Sequence, residues 1–272
     1  MGKSFKERLA IRTSLKQRLR SRERVFGAWV SYREPAIAET FAKAGFDFVA
    51  IDMEHTTIST DEANRIITGV QAEGVACFPR PVSHSNEYIK PLLEAGADGM
   101  IIQMVNTPEE VEVLIKFQKY PPLGERSYGV NRAHGYGLEF DEYIKTWNDS
   151  ASLIIQVESI AAVNNIDRLI AYDEVDAVMV GPYDISGSLG VPGQTDHHLV
   201  REASAKVVDA CAKRGIGCCT QISNVSADRV QAAFGAGFSV IILGSDLFIL
   251  SKWASDMRSV MSHFSEVGVQ SE

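Results

Sequence analysis

The chain has 272 residues, of which 45% are hydrophobic, and this length suits one large α/β barrel as well as two smaller domains. Its formal net charge of −8 disfavours nucleic acid as a partner, because nucleic-acid surfaces of proteins are basic. No apolar run approaches the roughly 20 residues that cross a bilayer core, so membrane partners are not expected either.

The first 23 residues are rich in lysine and arginine. Four apolar residues in this segment fall on one helical stripe: Phe5, Leu9, Leu15 and Leu19. The pattern predicts a basic amphipathic helix that packs on the body of the protein. A transit peptide is the alternative, and Glu7 weakens it because transit peptides are poor in acidic residues.

Further along, short β-rich runs alternate with longer helical patterns. The runs are Val25 to Ser31, Phe46 to Asp52, Ala76 to Arg80, Gly99 to Val105, Leu153 to Glu158, Asp176 to Gly181, Ile216 to Ile222 and Phe238 to Leu243. Several helical patterns open with Thr, Ser or Asp and close with Gly, as helix caps require. Eight strand-then-helix units predict a single (β/α)8 TIM-barrel domain over residues 1–272.

Two intervals between predicted strands are longer than the others, residues 106–152 and 182–215. Insertions after strands four and six are expected at the C-terminal mouth of the barrel, where such folds place their chemistry. The last pattern, "LFILSKWASDMRSVMSHF", predicts a long amphipathic helix with more apolar surface than one barrel needs. We expect this helix to pack on a neighbouring subunit.

Four cysteines, Cys77, Cys211, Cys218 and Cys219, lack the C-x-x-C spacing of metal or redox sites, and three lie in apolar runs. This distribution is typical of reduced core cysteines in a cytoplasmic protein.

The apolar run "FDFVAIDMEHTT" ends in three ionisable residues, Asp52, Glu54 and His55. Such groups are rarely buried without partners, so they belong either to an exposed sheet end or to a reaction centre. In a closed barrel the strand ends meet at one mouth, which would bring Glu54 and His55 together with Arg80, Glu158 and Asp184.

Glu158 and Asp184 follow consecutive strands roughly 4.8 Å apart, so both carboxylates could bind one hard cation. Mg²⁺ or Mn²⁺ suits such a pair better than zinc does, and Co²⁺ is a further option. The alternative is that each acid caps the helix that follows it.

A guanidinium at Arg80, next to Pro81, would suit a carboxylate or a developing enolate oxygen, and a structural ion pair is the alternative. His55 could act as a general base, with a purely structural histidine as its alternative.

None of the eight strand runs contains a lysine, which disfavours a Schiff-base aldolase. No G-x-G-x-x-G follows a strand and no Walker sequence is present, so a nucleotide cofactor is not indicated. A metal, a histidine and an arginine without a lysine indicate metal-assisted enolate chemistry.

At these residues the chain resembles the HpcH/HpaI family of class II, metal-dependent 2-oxo-acid aldolases. The matching segments are "AGFDFVAIDMEHT", "PRP", "YPPLGERSYG", "QVES", "VDAVMVGPYDISGSLGVPG" and "GFSVIILGSD", in the family's order and spacing over most of the chain. The resemblance implies a (β/α)8 barrel whose last helix is exchanged between partners. It also implies a homo-oligomer, commonly a hexamer built as a trimer of dimers.

The resemblance further implies roles for individual residues. Glu158 and Asp184 would be the metal ligands, His55 the general base acting with metal-bound water, and Arg80 the group that stabilises the pyruvate enolate. Gln156 and the backbone around Tyr183 would contact the 2-oxo-acid end of the substrate.

Two residues depart from the family pattern. Glu94 stands where the family usually has an Asp that tunes the histidine, and the extra methylene could alter that hydrogen bond. Tyr183 replaces a small residue beside the metal Asp, and could narrow the pocket or change which substrates enter.

The expected reaction is cleavage of a 4-hydroxy-2-oxo acid to pyruvate and an aldehyde. A citrate lyase-like acyl-CoA lyase and a catalytically silent binding or assembly barrel are the alternatives. The segment "GERSYGVNRAHGYG", residues 124–137, is expected over the mouth or against a neighbour's, where Arg126, Arg132 and His134 would bind a polar aldehyde. A solvated loop or a subunit contact is the alternative for this segment.

Overall fold

The computed structural model describes residues 3–267, which form eight parallel strands and the helices between them. The strands are β1 (Val25–Val30), β2 (Phe48–Asp52), β3 (Ala76–Arg80), β4 (Gly99–Ile102), β5 (Ser152–Val157), β6 (Ala177–Val180), β7 (Gly217–Ile222) and β8 (Val240–Ser245). The helices are α1 (Phe5–Arg20), α2 (Pro35–Lys43), α3 (Thr60–Ala72), α4 (Asn86–Glu94), α5 (Pro108–Gln118), α6 (Phe140–Ser150), α7 (Ile160–Leu169), α8 (Pro182–Ser188), α9 (His198–Arg214), α10 (Ala227–Gly235) and α11 (Asp246–Val267). A short 3-10 helix spans Arg132–Gly137.

The strands pair in the order β3-β2-β1-β8-β7-β6-β5-β4. Between the two ends of this order, the Asp98 amide donates to the Cys77 carbonyl oxygen at 3.0 Å. The sheet is therefore a nearly closed barrel, and the predicted (β/α)8 fold is confirmed. β4 is shorter than its predicted run because the chain leaves the ladder near Met104, whose φ is +50°. None of the described helices is both long and apolar enough to span a membrane.

Apolar residues are buried in two layers, one inside the barrel and one between the barrel and its helices. Inside, the rings of Phe48 and Phe78 pack with centroids 5.3 Å apart. Gly27 makes room for them, since a Cβ there would lie 2.3 Å from the Phe48 ring. All four cysteines are buried and free, as predicted for core residues. Burial of each large apolar side chain stabilises such a core by about 1.5–3 kcal/mol.

The predicted N-terminal helix is confirmed as α1, which buries Phe5, Leu15 and Leu19. Its basic side chains pair with acids at the N-terminal ends of the strands. Lys16 Nζ lies 2.7 Å from Asp176, the residue before β6. Because these acids neutralise the basic face, α1 packs across the N-terminal end of the barrel.

The insertion between β4 and β5 lies at the N-terminal end of the barrel. The prediction that it lies over the mouth of its own chain is therefore wrong. The extra residues follow α5, which returns the chain to the N-terminal face, and do not directly follow β4. Arg132 Nη1 accordingly donates to the Ala95 carbonyl oxygen (2.7 Å), between α4 and β4. The insertion after β6 does lie at the mouth, as predicted, because α8 directly follows that strand.

Lys119, at the end of α5, is only 1% exposed. Its Nζ donates to the carbonyl oxygens of Asn148 (2.8 Å) and Ala151 (2.9 Å), at the C-terminal end of α6. Burial first, and the nearby charge of Lys16 second, lower the pKa of Lys119 from 10.5 to about 7, against the opposing negative charge of Asp176.

We expect Lys119→Met to flatten the pH dependence of stability above neutrality. Between the folded pKa of about 7 and the unfolded value of 10.5, the unfolded chain holds a proton on Lys119 that the folded chain has lost. The free energy of unfolding therefore rises with pH in this window, by up to about 1.4 kcal/mol per pH unit. Urea unfolding across the window, with Lys145→Met on the exposed side of α6 as control, measures this slope. Parallel slopes for the wild type and Lys119→Met would contradict the expectation.

The last helix, α11, leaves many large apolar side chains exposed within the single chain. They include Leu247, Phe248, Ile249, Leu250, Trp253, Met261 and Phe264. The amphipathic helix is confirmed, and its packing on a neighbouring subunit stays a prediction.

Candidate active site

A cavity of about 480 Å³ lies at the C-terminal ends of the strands. Its lining includes Trp29, Ser31, Asp52, His55, Arg80, Gln156, Glu158, Tyr183, Asp184, Thr195, Gln221, Ser223, Ser245, Leu247 and Phe248. Six residues of the sequence-predicted site therefore meet in one cavity, although they are far apart in the chain: His55, Arg80, Gln156, Glu158, Tyr183 and Asp184.

The charged residues at the end of β2, Asp52 and Glu54, both form ion pairs with Arg80. Asp52 pairs in register with Arg80 across β2 and β3. Arg80 Nη2 lies 2.8 Å from Asp52 Oδ1, and Nη1 lies 2.9 Å from Glu54 Oε2. The Trp29 ring lies 4.7 Å from the guanidinium carbon and completes its support. Arg80 is thus a buried ion-pair partner and, at the same time, part of the cavity wall.

A chain of hydrogen bonds continues from Arg80 to Glu158. Arg80 Nη1 donates to Gln156 Oε1 at 3.3 Å, and Gln156 Nε2 donates to Glu158 Oε1 at 3.1 Å. The Met104 amide donates to Glu158 Oε2 at 2.9 Å. These bonds fix the orientation of both the Gln156 amide and the Glu158 carboxylate.

His55 lies at the rim, and its side chain is 69% exposed. Its Nε2 lies 3.5 Å from Glu54 Oε2. Burial raises the pKa of Glu54, against the opposing positive charges of Arg80 and His55. The imidazole is therefore open to a molecule in the cavity and has a carboxylate beside it.

The acids of the cavity fit a divalent cation. Burial raises the pKa of Glu158 to about 7; the Met104 amide opposes this shift, and the negative charges of Glu54 and Asp184 add to it. Gly181 leaves space for this carboxylate, because a Cβ there would lie 2.8 Å from Glu158 Oε1. Excess negative charge and oxygen donors are what Mg²⁺ and Mn²⁺ require.

Two carboxylates would leave most of the cation's coordination positions to water or substrate. In the part of the chain that the structure describes, no group of three or more His, Cys, Asp or Glu side chains is arranged around a metal position. The capping alternative does not hold for Glu158, because Ser159 caps α7.

Four predicted residues lie outside the cavity in this chain: Glu94, Arg126, Arg132 and His134. Arg126 Nη2 donates to Glu94 Oε1 at 3.1 Å, and the fully buried His134 places Nε2 2.9 Å from the Tyr120 hydroxyl. Burial lowers the pKa of His134. Glu94 therefore pairs with Arg126 within the chain, and its predicted contact with His55 stays a prediction.

Several contacts that build the cavity were not expected from the sequence, although Asp52 itself was noted there as part of either a sheet end or a reaction centre. Asp52 and Trp29 position Arg80, the Met104 backbone holds Glu158, and Gln221 lines the wall. Alternation along β2 could have indicated Asp52, since Phe48, Ala50 and Asp52 point to the same side. No sequence signal marks the left-handed backbone of Met104.

A parallel barrel that gathers an acid pair, an arginine and a histidine at its mouth defines a class of metal-assisted barrel enzymes. The family model for HpcH/HpaI aldolase/citrate lyase matches residues 25–252. The chain belongs to this family, whose members are metal-dependent, and it is a carbon–carbon lyase.

Individual relatives agree with this assignment. The chain is 32% identical over 250 residues to 2-keto-3-deoxy-L-rhamnonate aldolase of Escherichia coli K12, covering 90% of this chain and 91% of the relative. A crystal structure of an HpcH/HpaI aldolase/citrate lyase family protein from Burkholderia cenocepacia J2315 superposes with a TM-score of 0.83 at 28% identity, covering 94% and 99% of the two chains. An HpcH/HpaI aldolase from Desulfitobacterium hafniense DCB-2 gives 0.82 at 28%, covering 91% and 96%.

Proposed function

We propose that the protein cleaves a 4-hydroxy-2-oxo acid to pyruvate and an aldehyde with the help of Mg²⁺ or Mn²⁺. The observation that carries the proposal is the hydrogen-bonded series from Asp52 through Arg80 and Gln156 to Glu158, beside the open His55. This series holds a cation, an amide and a carboxylate rigidly at one cavity. Such prearranged charges stabilise an enolate as it forms.

Glu158 and Asp184 would hold the metal, which when bound supplies Lewis acidity to the oxygens of a 2-oxo acid. The exposed His55 would remove the proton from the C4 hydroxyl of the substrate. As the C4 carbonyl forms, the C3–C4 bond breaks and its electron pair passes to the pyruvate enolate. Arg80 would stabilise the enolate oxygen until C3 takes up a proton.

Gln156 and Tyr183 would contact the 2-oxo-acid end of the substrate. The Gln156 amide is fixed on both sides by Arg80 and Glu158. Tyr183 is exposed at the cavity wall next to Asp184, where its ring can limit the size of the substrate. Glu94, Arg126, Arg132 and His134 have no role within the same chain in this proposal. The position of residues 124–137 against a neighbour's mouth and the effect of Glu94 on the histidine stay predictions.

We also propose that the protein is a homo-oligomer, specifically a hexamer. The exposed apolar side chains of α11 support it, since isolated chains rarely leave so many large apolar residues in water. The free, buried cysteines support a reducing compartment such as the cytoplasm.

An acyl-CoA substrate is less well supported. The residues that line the cavity include one arginine, Arg80, and no lysine. Asp52 and Glu54 already pair with Arg80. A CoA phosphate would need basic side chains that this wall lacks. The name of the Escherichia coli relative, a 2-keto-3-deoxy sugar-acid aldolase, supports a hydroxylated substrate instead.

The test is metal-dependent release of pyruvate. The purified protein is treated with EDTA, supplied with Mn²⁺ or left without metal, and incubated with a panel of 4-hydroxy-2-oxo acids and, separately, with acyl-CoA thioesters. We expect equimolar pyruvate and aldehyde with Mn²⁺ and none without it. Cleavage that persists in EDTA, or turnover of acyl-CoA thioesters alone, would overturn the proposal.

A further inference from the structure

The side chains of β7, β8 and β1 and of the residues just after them that line the cavity include polar ones but none with a charge. The polar side chains of this wall are Gln221, Ser223, Ser245 and Ser31. The carboxylate of Asp246, which follows β8, is buried behind this wall and accepts from the backbone amides of Ser31 and Tyr32. The ionisable side chains of the cavity all lie at or just after the ends of other strands: Asp52, His55, Arg80, Glu158 and Asp184. The cavity therefore has a charged face that suits the chemistry and an uncharged face opposite to it.

On this uncharged face, Gln221 has a buried side-chain donor for which the fold provides no hydrogen-bond partner among the described residues. It follows Cys219 by two positions on β7, and Cys219 belongs to the cluster inside the barrel, so both side chains point inward. The Nε2 atom of Gln221 is buried and has no hydrogen-bond partner among the residues that the structure describes. By contrast, Ser245 Oγ accepts from the Phe248 amide at 3.2 Å.

A buried donor without a partner destabilises a fold, so such donors call for an explanation. Gln221 lines the cavity that contains the proposed metal ligands, and its amide oxygen is the accessible end of the side chain. A half-turn of the terminal amide exchanges the two ends and brings Nε2 to the cavity, where a bound molecule would supply the missing acceptor. The acceptor would be uncharged, because a carboxylate or phosphate would meet no cation on this wall.

We infer that Gln221 determines specificity by donating a hydrogen bond to an uncharged oxygen, a hydroxyl or a carbonyl, of the substrate. This inference rests on the proposed aldolase function. The oxygen can come from the 2-oxo-acid half, as a substituent on C3, or from the aldehyde half, as a hydroxyl next to the carbonyl. The chemistry of recognition is the same for both sources.

The experiment uses Gln221→Leu, which has a similar size and no donor, and Gln221→Met as a second variant of closer shape. With Mn²⁺, kcat/KM for carbon–carbon bond formation is measured in two arms. The first compares hydroxypyruvate with pyruvate, using one aldehyde. The second compares 2-hydroxypropanal with propanal, using pyruvate. Gln231→Leu, the same substitution on the exposed side of α10, is the matched control.

For both Gln221 variants, we expect the preference for the oxygenated compound to fall about tenfold in one arm, because one good hydrogen bond is lost. Gln231→Leu should leave the preference unchanged in both arms. The arm in which the preference falls identifies the half of the substrate that carries the oxygen. Unchanged preferences in both arms, or equal losses for oxygenated and plain compounds, would overturn the inference.

Exchange of the C3 protons of pyruvate with solvent separates this outcome from failure of the proposed function. If the wild type with Mn²⁺ exchanges these protons and joins pyruvate to aldehydes, the function stands and the variants decide the role of Gln221. If the wild type does neither, the proposed function fails and the inference fails with it.

Discussion

Asp184→Ala is expected to abolish aldol cleavage and Mn²⁺ binding while leaving the barrel folded. Asp184 lies exposed in the first turn of α8, at the mouth and outside the core, so its loss removes no buried contact. Glu158 alone would offer one carboxylate, and the affinity of a hard cation falls steeply with the number of charged oxygen ligands. Titration calorimetry of the EDTA-treated protein with Mn²⁺, together with the pyruvate assay, measures both losses.

Asp196→Ala is the matched control, because Asp196 is an exposed acid on the same insertion and does not line the cavity. This variant should bind Mn²⁺ and release pyruvate like the wild type. If Asp184→Ala retains the Mn²⁺ affinity of the wild type, the assignment of Asp184 as a ligand is wrong.

His55→Ala is expected to lower kcat for cleavage by roughly 10²- to 10⁴-fold, the range typical for loss of a general base. The exposed imidazole touches the cavity, and its one ion-pair neighbour is Glu54 at 3.5 Å, so the fold does not depend on it. The affinity for Mn²⁺ should stay nearly constant, because Glu158 and Asp184 are untouched. Steady-state kinetics and calorimetry on the same preparation measure both quantities.

His198→Ala provides the comparison, because His198 is exposed at the start of α9 and outside the cavity lining. It should leave kcat unchanged. Parallel losses of kcat and Mn²⁺ affinity in His55→Ala would instead identify His55 as a metal ligand or a structural residue.

The sequence by itself determined the barrel and the charged face of its mouth. Strand and helix periods differ, 2 against 3.6 residues, so the alternating runs predicted eight strand–helix units. Parallel strands in a barrel all end at one mouth, so residues that follow strands, such as His55, Arg80, Glu158 and Asp184, were predicted to meet. A strand end is a local property of the sequence, and for that reason these residues could be found without coordinates.

The tertiary structure alone decided which residues support that face and which lie away from it. Arg126 and His134 stand in a polar, glycine-rich segment that reads as a surface loop, yet they are buried at the opposite end of the barrel, because α5 turns the chain back before the segment begins. Gln221 carries no motif, and its buried, unpartnered Nε2 is visible only in the folded barrel, where β7 pairs with β8. Contacts of this kind depend on the path and register of distant segments, which local periodicity does not encode.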